Sequence, residues 1–108
     1  MGNEEILKNT TLFTKIGDAQ FLELLSHVVE VRIQAGITFI REGELADALY
    51  ILKEGVIQIF THGRSNDEVI LARLEKGAYF GEQALLGELP GPRTASIRAL
   101  TDSVLLKI

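Results

Sequence analysis

One segment of the chain combines residue types suited to holding a phosphate ester. It runs from Phe80 to Ala95 and reads Phe-Gly-Glu-Gln-Ala-Leu-Leu-Gly-Glu-Leu-Pro-Gly-Pro-Arg-Thr-Ala. Residues 82–86 are good helix formers, and Gly87 with the Pro-Gly-Pro cluster ends the run. The first amides of such a helix have no partner within it, and the helix dipole adds partial positive charge there. The pattern predicts an anion site at the start of this short helix.

Two charged residues in this segment refine the chemistry. Arg93 follows the loop at the start of a predicted strand, where its guanidinium could bind phosphate oxygens through two parallel hydrogen bonds. Gly81 and Ala84 are small and let a ligand approach the backbone. Glu82 would repel a phosphate, but an ionised carboxylate accepts hydrogen bonds from hydroxyl groups such as those of a ribose. Together these residues favour a sugar phosphate as the ligand.

The elements that must position this segment begin with an N-terminal helical part, residues 4–26. Its apolar residues recur at helical spacing, with breaks near Thr10-Thr11 and Ile16-Gly17, and Asp18 is expected to be the N-cap of the second helix. We expect this part to cover one end of a sheet.

Residues 28–108 are predicted to form short strands separated by glycine turns. The predicted strands are Val28–Ile33, Thr38–Ile40, Leu49–Leu52, Val56–Phe60, Val69–Leu74, Arg93–Leu100 and Val104–Ile108. This spacing favours a mainly β fold, a jelly-roll-like β-roll with flanking N-terminal helices and a short internal helix, over a parallel α/β sheet. Gly55 is expected at a tight hairpin, Leu49–Leu52 in the core, and the polar residues 62–67 in an exposed loop that includes His62.

Composition narrows the functional classes. The chain has 108 residues, which predicts a single domain, 1–108, and its net charge of −4 argues against nucleic-acid binding. It has no cysteine and only two histidines, His27 and His62, so we expect no metal site. We expect no membrane segment and no signal peptide, which favours a cytoplasmic protein or the cytoplasmic domain of a membrane protein. No nucleophile motif is present, and we expect no enzyme activity.

The segment has a specific resemblance. Phe80-Gly81-Glu82-Gln83-Ala84-Leu85-Leu86, followed by Arg93-Thr94-Ala95, resembles the phosphate-binding cassette of the cyclic-nucleotide-binding domain family, here residues 80–95. That family includes regulatory subunits of cyclic-nucleotide-dependent kinases, gated ion channels and bacterial catabolite activators. Leu49-Tyr50-Ile51-Leu52-Lys53-Glu54-Gly55 is similar to one of the family's early strands. The likeness extends from about Leu12 to Ile108.

The resemblance implies roles for the phosphate and ribose contacts. Glu82 would accept a hydrogen bond from the ribose 2′-hydroxyl, and Gly81 would admit the ribose. Arg93 would neutralise the cyclic phosphate. The backbone amides that would cradle the phosphate are those of Gln83, Ala84 and Ala95.

The resemblance also implies contacts to the base. Thr94 stands where a hydroxyl is associated with guanine contact in members that prefer cGMP, although channels that respond to cAMP carry threonine there too. Thr94 is therefore permissive for cGMP and does not decide between the nucleotides. Leu71 and Val69 would offer apolar contact to the base.

These implications predict a regulatory sensor that binds cAMP or cGMP and signals to an effector absent from this chain. The family usually continues into C-terminal hinge and lid helices, which we expect to be absent from this chain. The chain is then part of a larger protein, which we favour, or a domain that has lost its lid. One alternative is an interaction module with the same fold that no longer binds nucleotide. A third possibility is an enzyme on a related small barrel, which would need converging histidines and carboxylates.

Overall fold

The computed structural model describes residues 2–10, 13, 17–44, 48–81 and 94–108. Within these residues the chain forms two N-terminal helices followed by eight strands. The bounds are α1 Asn3–Asn9, α2 Asp18–Ser26, β1 Val29–Ile33, β2 Thr38–Ile40, β3 Tyr50–Glu54, β4 Ile57–His62, β5 Glu68–Leu74, β6 Tyr79–Phe80, β7 Ser96–Ala99 and β8 Ser103–Lys107. The mainly β class and the N-terminal helices are confirmed.

The strands form two antiparallel sheets of four. Sheet A has the order β1-β8-β3-β6, and sheet B has the order β2-β7-β4-β5. The first strand therefore pairs with the last, in a register that sets Val31 opposite Leu105. This pairing joins the two ends of the strand region.

Sheet A is buried on both faces at its centre. Leu52 and Leu105 point towards sheet B and pack there with Ile57 and Ile97. The residues that alternate with them, Ile51 and Leu106, pack instead against the helices, in a cluster with Leu7 and Phe21. A strand buried on both faces requires a continuous apolar run, which Val104-Leu105-Leu106 supplies. The helices thus cover one face of sheet A.

The N-cap of the second helix lies one residue before the position predicted from the sequence. Asp18 is its first helical residue, and the N-cap is Gly17. The Gly17 backbone N–H donates to the Gln20 side-chain oxygen at 3.3 Å. Asp18 instead places its carboxylate in the first turn, where the helix dipole favours negative charge.

Gly55 lies at a turn, as expected, but the turn is not a hairpin. It joins β3, in sheet A, to β4, in sheet B, so the chain changes sheets there. Gly55 has φ +96, and a Cβ at this position would lie 2.7 Å from the Asp102 carbonyl oxygen and 2.8 Å from Ser103 Cα. The turn between β7 and β8 therefore fits against this corner only if residue 55 has no side chain.

Most strand limits differ from the sequence expectation by one to three residues, and the differences at β4 and β7 affect residues assigned above. β4 continues to His62, which is its last residue and not part of the following loop. β7 begins at Ser96 and ends at Ala99, so Thr94 and Ala95 precede the strand. The polar loop that follows β4 is exposed, as expected.

Candidate functional site

The predicted phosphate-binding segment connects the two sheets. On one side it follows β6, the edge strand of sheet A, and on the other it leads into β7, inside sheet B. The structure describes the residues at its two ends, Gly81, Thr94 and Ala95. The other assigned cassette residues and the predicted short helix lie outside the described residues; they are Glu82, Gln83, Ala84 and Arg93.

Aromatic side chains anchor the end that leaves sheet A. Phe80 pairs with Tyr50 across β6 and β3, and their rings stack with centroids 5.1 Å apart. Tyr50 in turn meets Phe39 edge-to-face at 6.4 Å. Gly81 follows with φ +82, a conformation that glycine adopts without steric penalty. The chain therefore leaves β6 by a turn that favours glycine at this position.

At the other end, the sheet register shows what lies beside Thr94 and Ala95. Ser96 is opposite Phe60 in β4, and Phe60 is opposite Ile70 in β5. Because the strands are antiparallel, one step back along the chain from Ser96 to Ala95 corresponds to one step forward on β4, to Thr61. Thr61 is in turn opposite Val69 in β5. Thr94 is exposed and Ala95 is half-buried.

The two residues predicted to contact the base lie on β5, the edge strand of sheet B. Val69 is opposite Thr61, on the face of sheet B that carries Ile57 and Ile59 towards sheet A. Leu71 has no opposite residue, because the pairing passes from Ile70 to Ala72 at a β-bulge. Val69 is 44% exposed and Leu71 is 54% exposed. Both side chains are therefore accessible to a ligand.

The outer face of sheet B carries a cleft that sequence reasoning missed. It has a volume of about 640 Å³ and is lined by Thr38, Arg41, Glu42, Gly43, Phe60, His62, Glu68 and Ser96. Among these residues, Phe60 has the Arg98 guanidinium over its ring, 4.3 Å from the ring centroid. The alternation of β4 was a usable signal, since Gln58, Phe60 and His62 share one face, but the partner strands could not be assigned from sequence.

Arg98 also organises the charge on this face. Its Nη1 and Nη2 atoms donate to the two Glu68 carboxylate oxygens at 2.8 and 3.0 Å, and its Nε and Nη2 atoms donate to Gln58. The hydrogen bonds from Arg98 hold the pKa of Glu68 below its ordinary value of 4.5.

We expect the pH dependence of unfolding to report this pair. Because the folded-state pKa of Glu68 is lowered, ionised Glu68 stabilises the fold above pH 4.5, and this contribution disappears as the pH falls through the lowered pKa. Glu68→Gln should therefore be less stable than the wild type at pH 7, with the difference shrinking in acid. Urea unfolding of both proteins between pH 7 and pH 3 measures it. A difference that stays constant with pH would contradict this role.

Neither a metal cluster nor a membrane helix is found in the part of the chain that the structure describes. No group of three or more His, Cys, Asp or Glu side chains is placed there to hold a metal ion. No helix among those residues is long and apolar enough to cross a membrane.

The family follows from the sequence match as well as from the fold. The model of the cyclic nucleotide-binding domain matches residues 30–108. The chain belongs to this family.

Among curated proteins, the chain is similar to a subunit of cAMP-dependent protein kinase and to cGMP-dependent protein kinases. It is 30% identical over 97 residues to the cAMP-dependent protein kinase regulatory subunit of Blastocladiella emersonii, covering 90% of this chain and 24% of that protein. It is 36% identical over 97 residues to the cGMP-dependent protein kinase of Plasmodium berghei, covering 90% of this chain and 10% of that protein. The chain thus spans a quarter or less of the length of these relatives.

Two solved structures show the same fold. The regulatory domain of Toxoplasma gondii PKA, crystallised with cAMP, superposes with a TM-score of 0.85 at 27% identity, covering 97% of this chain and 39% of that chain. The regulatory subunit of a cAMP-independent protein kinase A from Trypanosoma brucei superposes with a TM-score of 0.82 at 24% identity, covering 96% of this chain and 38% of that chain.

Proposed function

We propose that this chain is a regulatory module that binds a cyclic nucleotide, cAMP or cGMP, and signals to an effector outside the chain. The observation that carries the proposal is the family match over residues 30–108, which includes the whole cassette-like segment. The similarity to kinase proteins of both nucleotide types supports leaving the choice between cAMP and cGMP open.

The geometry at the two ends of the segment supports the same function. Gly81 leaves the edge of sheet A with positive φ, and Thr94 and Ala95 enter sheet B level with Thr61 and Val69. In this proposal the ligand binds the segment that joins the edge of sheet A to the start of β7. In this proposal Arg93 and the amides of Gln83, Ala84 and Ala95 hold the phosphate, and Glu82 holds the ribose.

The module acts by binding and not by catalysis in this proposal, as a single unit over residues 1–108. The packing of both helices against sheet A supports one unit, since Ile6, Leu7 and Phe21 share a cluster with Ile51 and Leu106. A change of helix position on ligand binding would be the signal passed to the effector.

Thermal unfolding with and without ligand tests the function. Cyclic nucleotide at 100 times its dissociation constant should stabilise the folded protein by roughly 2.7 kcal/mol, because it binds only the folded state. The melting temperature should rise with cAMP or cGMP and stay unchanged with 5′-AMP or 5′-GMP, which lack the cyclic phosphate. Calorimetric titration with both cyclic nucleotides then measures the preference.

The second candidate is an interaction module that keeps the fold without binding nucleotide. The shared fold with the regulatory subunit of a cAMP-independent protein kinase A supports this candidate, because a fold by itself does not establish a ligand. An unchanged melting temperature in millimolar cAMP and in millimolar cGMP would support this candidate over the first.

A further inference from the structure

The start of β7 is held by a polar contact with the residues that follow β2. The Ser96 hydroxyl oxygen accepts a hydrogen bond from the Glu42 backbone N–H at 2.9 Å, and Ser96 is only 6% exposed. The Thr61 hydroxyl donates a hydrogen bond to the Glu42 carboxylate. Glu42, Thr61 and Ser96 are called the Glu42 clamp below.

The clamp spans the strand that leads out of the nucleotide segment. β7 lies between β2 and β4, and Glu42 follows the end of β2 while Thr61 belongs to β4. Neighbouring strands are about 4.8 Å apart, so the strands on the two sides of β7 are separated by roughly twice that distance. The Glu42 side chain therefore reaches across the line of β7.

The Glu42 side chain crosses β7 near the residue at which the regular pairing of β7 with β4 begins. Ser96 opposite Phe60 is the first pair between β7 and β4. Thr61 comes one position later on β4, level with Ala95, at which β7 has not yet begun. The clamp thus brackets the point at which Thr94 and Ala95 enter the sheet.

We propose that the Glu42 clamp positions the backbone of Thr94 and Ala95 for the nucleotide site, through the Glu42 N–H bound to Ser96 and the Glu42 carboxylate bound to Thr61. This inference rests on the proposed function, in which the Ala95 amide binds the cyclic phosphate. A preformed donor costs less to order on binding than a mobile one, so the clamp raises affinity without touching the ligand.

The clearest test removes the Thr61 hydroxyl while keeping its shape. Thr61→Val keeps the β-branched side chain and loses the donor, and Thr61→Ser keeps the donor. We expect Thr61→Val to bind cAMP or cGMP about three- to tenfold more weakly, the range set by one net hydrogen bond. Thr61→Ser should bind like the wild type. Calorimetric titration of each variant with both nucleotides measures this, and melting without ligand checks that each variant is folded.

A second pair of variants tests the carboxylate. Glu42→Ala should weaken binding to the same degree, while Glu42→Gln should retain the wild-type affinity because its amide oxygen can still accept from Thr61. The double variant Glu42→Ala/Thr61→Val should bind no more weakly than either single variant, since both remove the same contact.

Each result supports or overturns the inference. Wild-type affinity in Thr61→Val, equal weakening in Thr61→Ser, or additive losses in the double variant would each overturn it while leaving nucleotide binding in place. If Thr61→Val does not fold, Ser96→Ala replaces it, with the same expected weakening. A wild-type protein that binds neither nucleotide would contradict the proposed function itself, which is a separate outcome.

Discussion

Replacing Arg93 with alanine is expected to leave the fold intact and weaken cyclic-nucleotide binding by about 2–5 kcal/mol, the usual cost of removing one partner of a charge pair within a binding site. In an acidic chain with net charge −4, Arg93 supplies the positive charge assigned to the phosphate. Calorimetric titration of the variant with cAMP and cGMP measures the loss.

Two control variants sharpen this experiment. Arg64→Ala makes the same change in net charge on the exposed loop after β4 and should leave affinity unchanged. Arg93→Lys keeps the charge but loses the two parallel donors, so it should bind with an intermediate affinity. Equal affinities in the wild type and Arg93→Ala would show that Arg93 does not bind the ligand.

Replacing Gly55 with alanine is expected to cost about 2–5 kcal/mol of the free energy of unfolding. A side chain at φ +96 is strained, and the new Cβ would collide with Asp102 and with the backbone and hydroxyl of Ser103. A loss of this size is a large fraction of the stability of a typical domain. Urea unfolding of the variant measures it.

Gly36→Ala is the matched control for this variant. Gly36 has φ +87, but no atom lies within 4 Å of a Cβ placed there. It should therefore lose only the conformational part, about 1–2 kcal/mol. If the two variants were equally stable, the close packing of the β7–β8 turn against Gly55 would not contribute to stability.

The local course of the chain was largely readable from the sequence. Thr38–Ile40 was predicted with its observed limits, and Leu49, Ile51 and Leu52 are fully buried, as their apolar run indicated. The two N-terminal helices were also predicted, and the described residues show α1 ending at Asn9 and α2 beginning at Asp18. These features depend on nearest neighbours along the chain, which is why periodicity and glycine spacing reveal them.

The pairing of strands was not readable in the same way. β6 has two residues, too few to show any alternation, and it was missed. Gly55 was assigned to a hairpin because two apolar runs flank it, yet β3 pairs with β8 and β4 pairs with β7. Such pairings join residues far apart in sequence, and no local pattern encodes them.

The candidate site also combines residues that a local sequence pattern can indicate with contacts that depend on strand pairing. The cassette is a prediction from its residue types and the family resemblance, and of its assigned residues the structure describes Gly81, Thr94 and Ala95. The Glu42 clamp was not predicted, because Glu42 and Ser96 are 54 residues apart and meet only through the sheet register. An isolated glutamate beside a turn glycine carries no signal of such a contact.

The double-sided burial of sheet A sets how close the inter-sheet core lies to the helices. Ile51 packs against the helices, and its neighbour Leu52 packs in the core between the sheets. The helices and the inter-sheet core are therefore separated by the thickness of one β-sheet. A densely packed interior passes strain from one layer to the next. A displacement of side chains on the inner face of β3 or β8 is therefore expected to shift α1 and α2 through direct packing contacts.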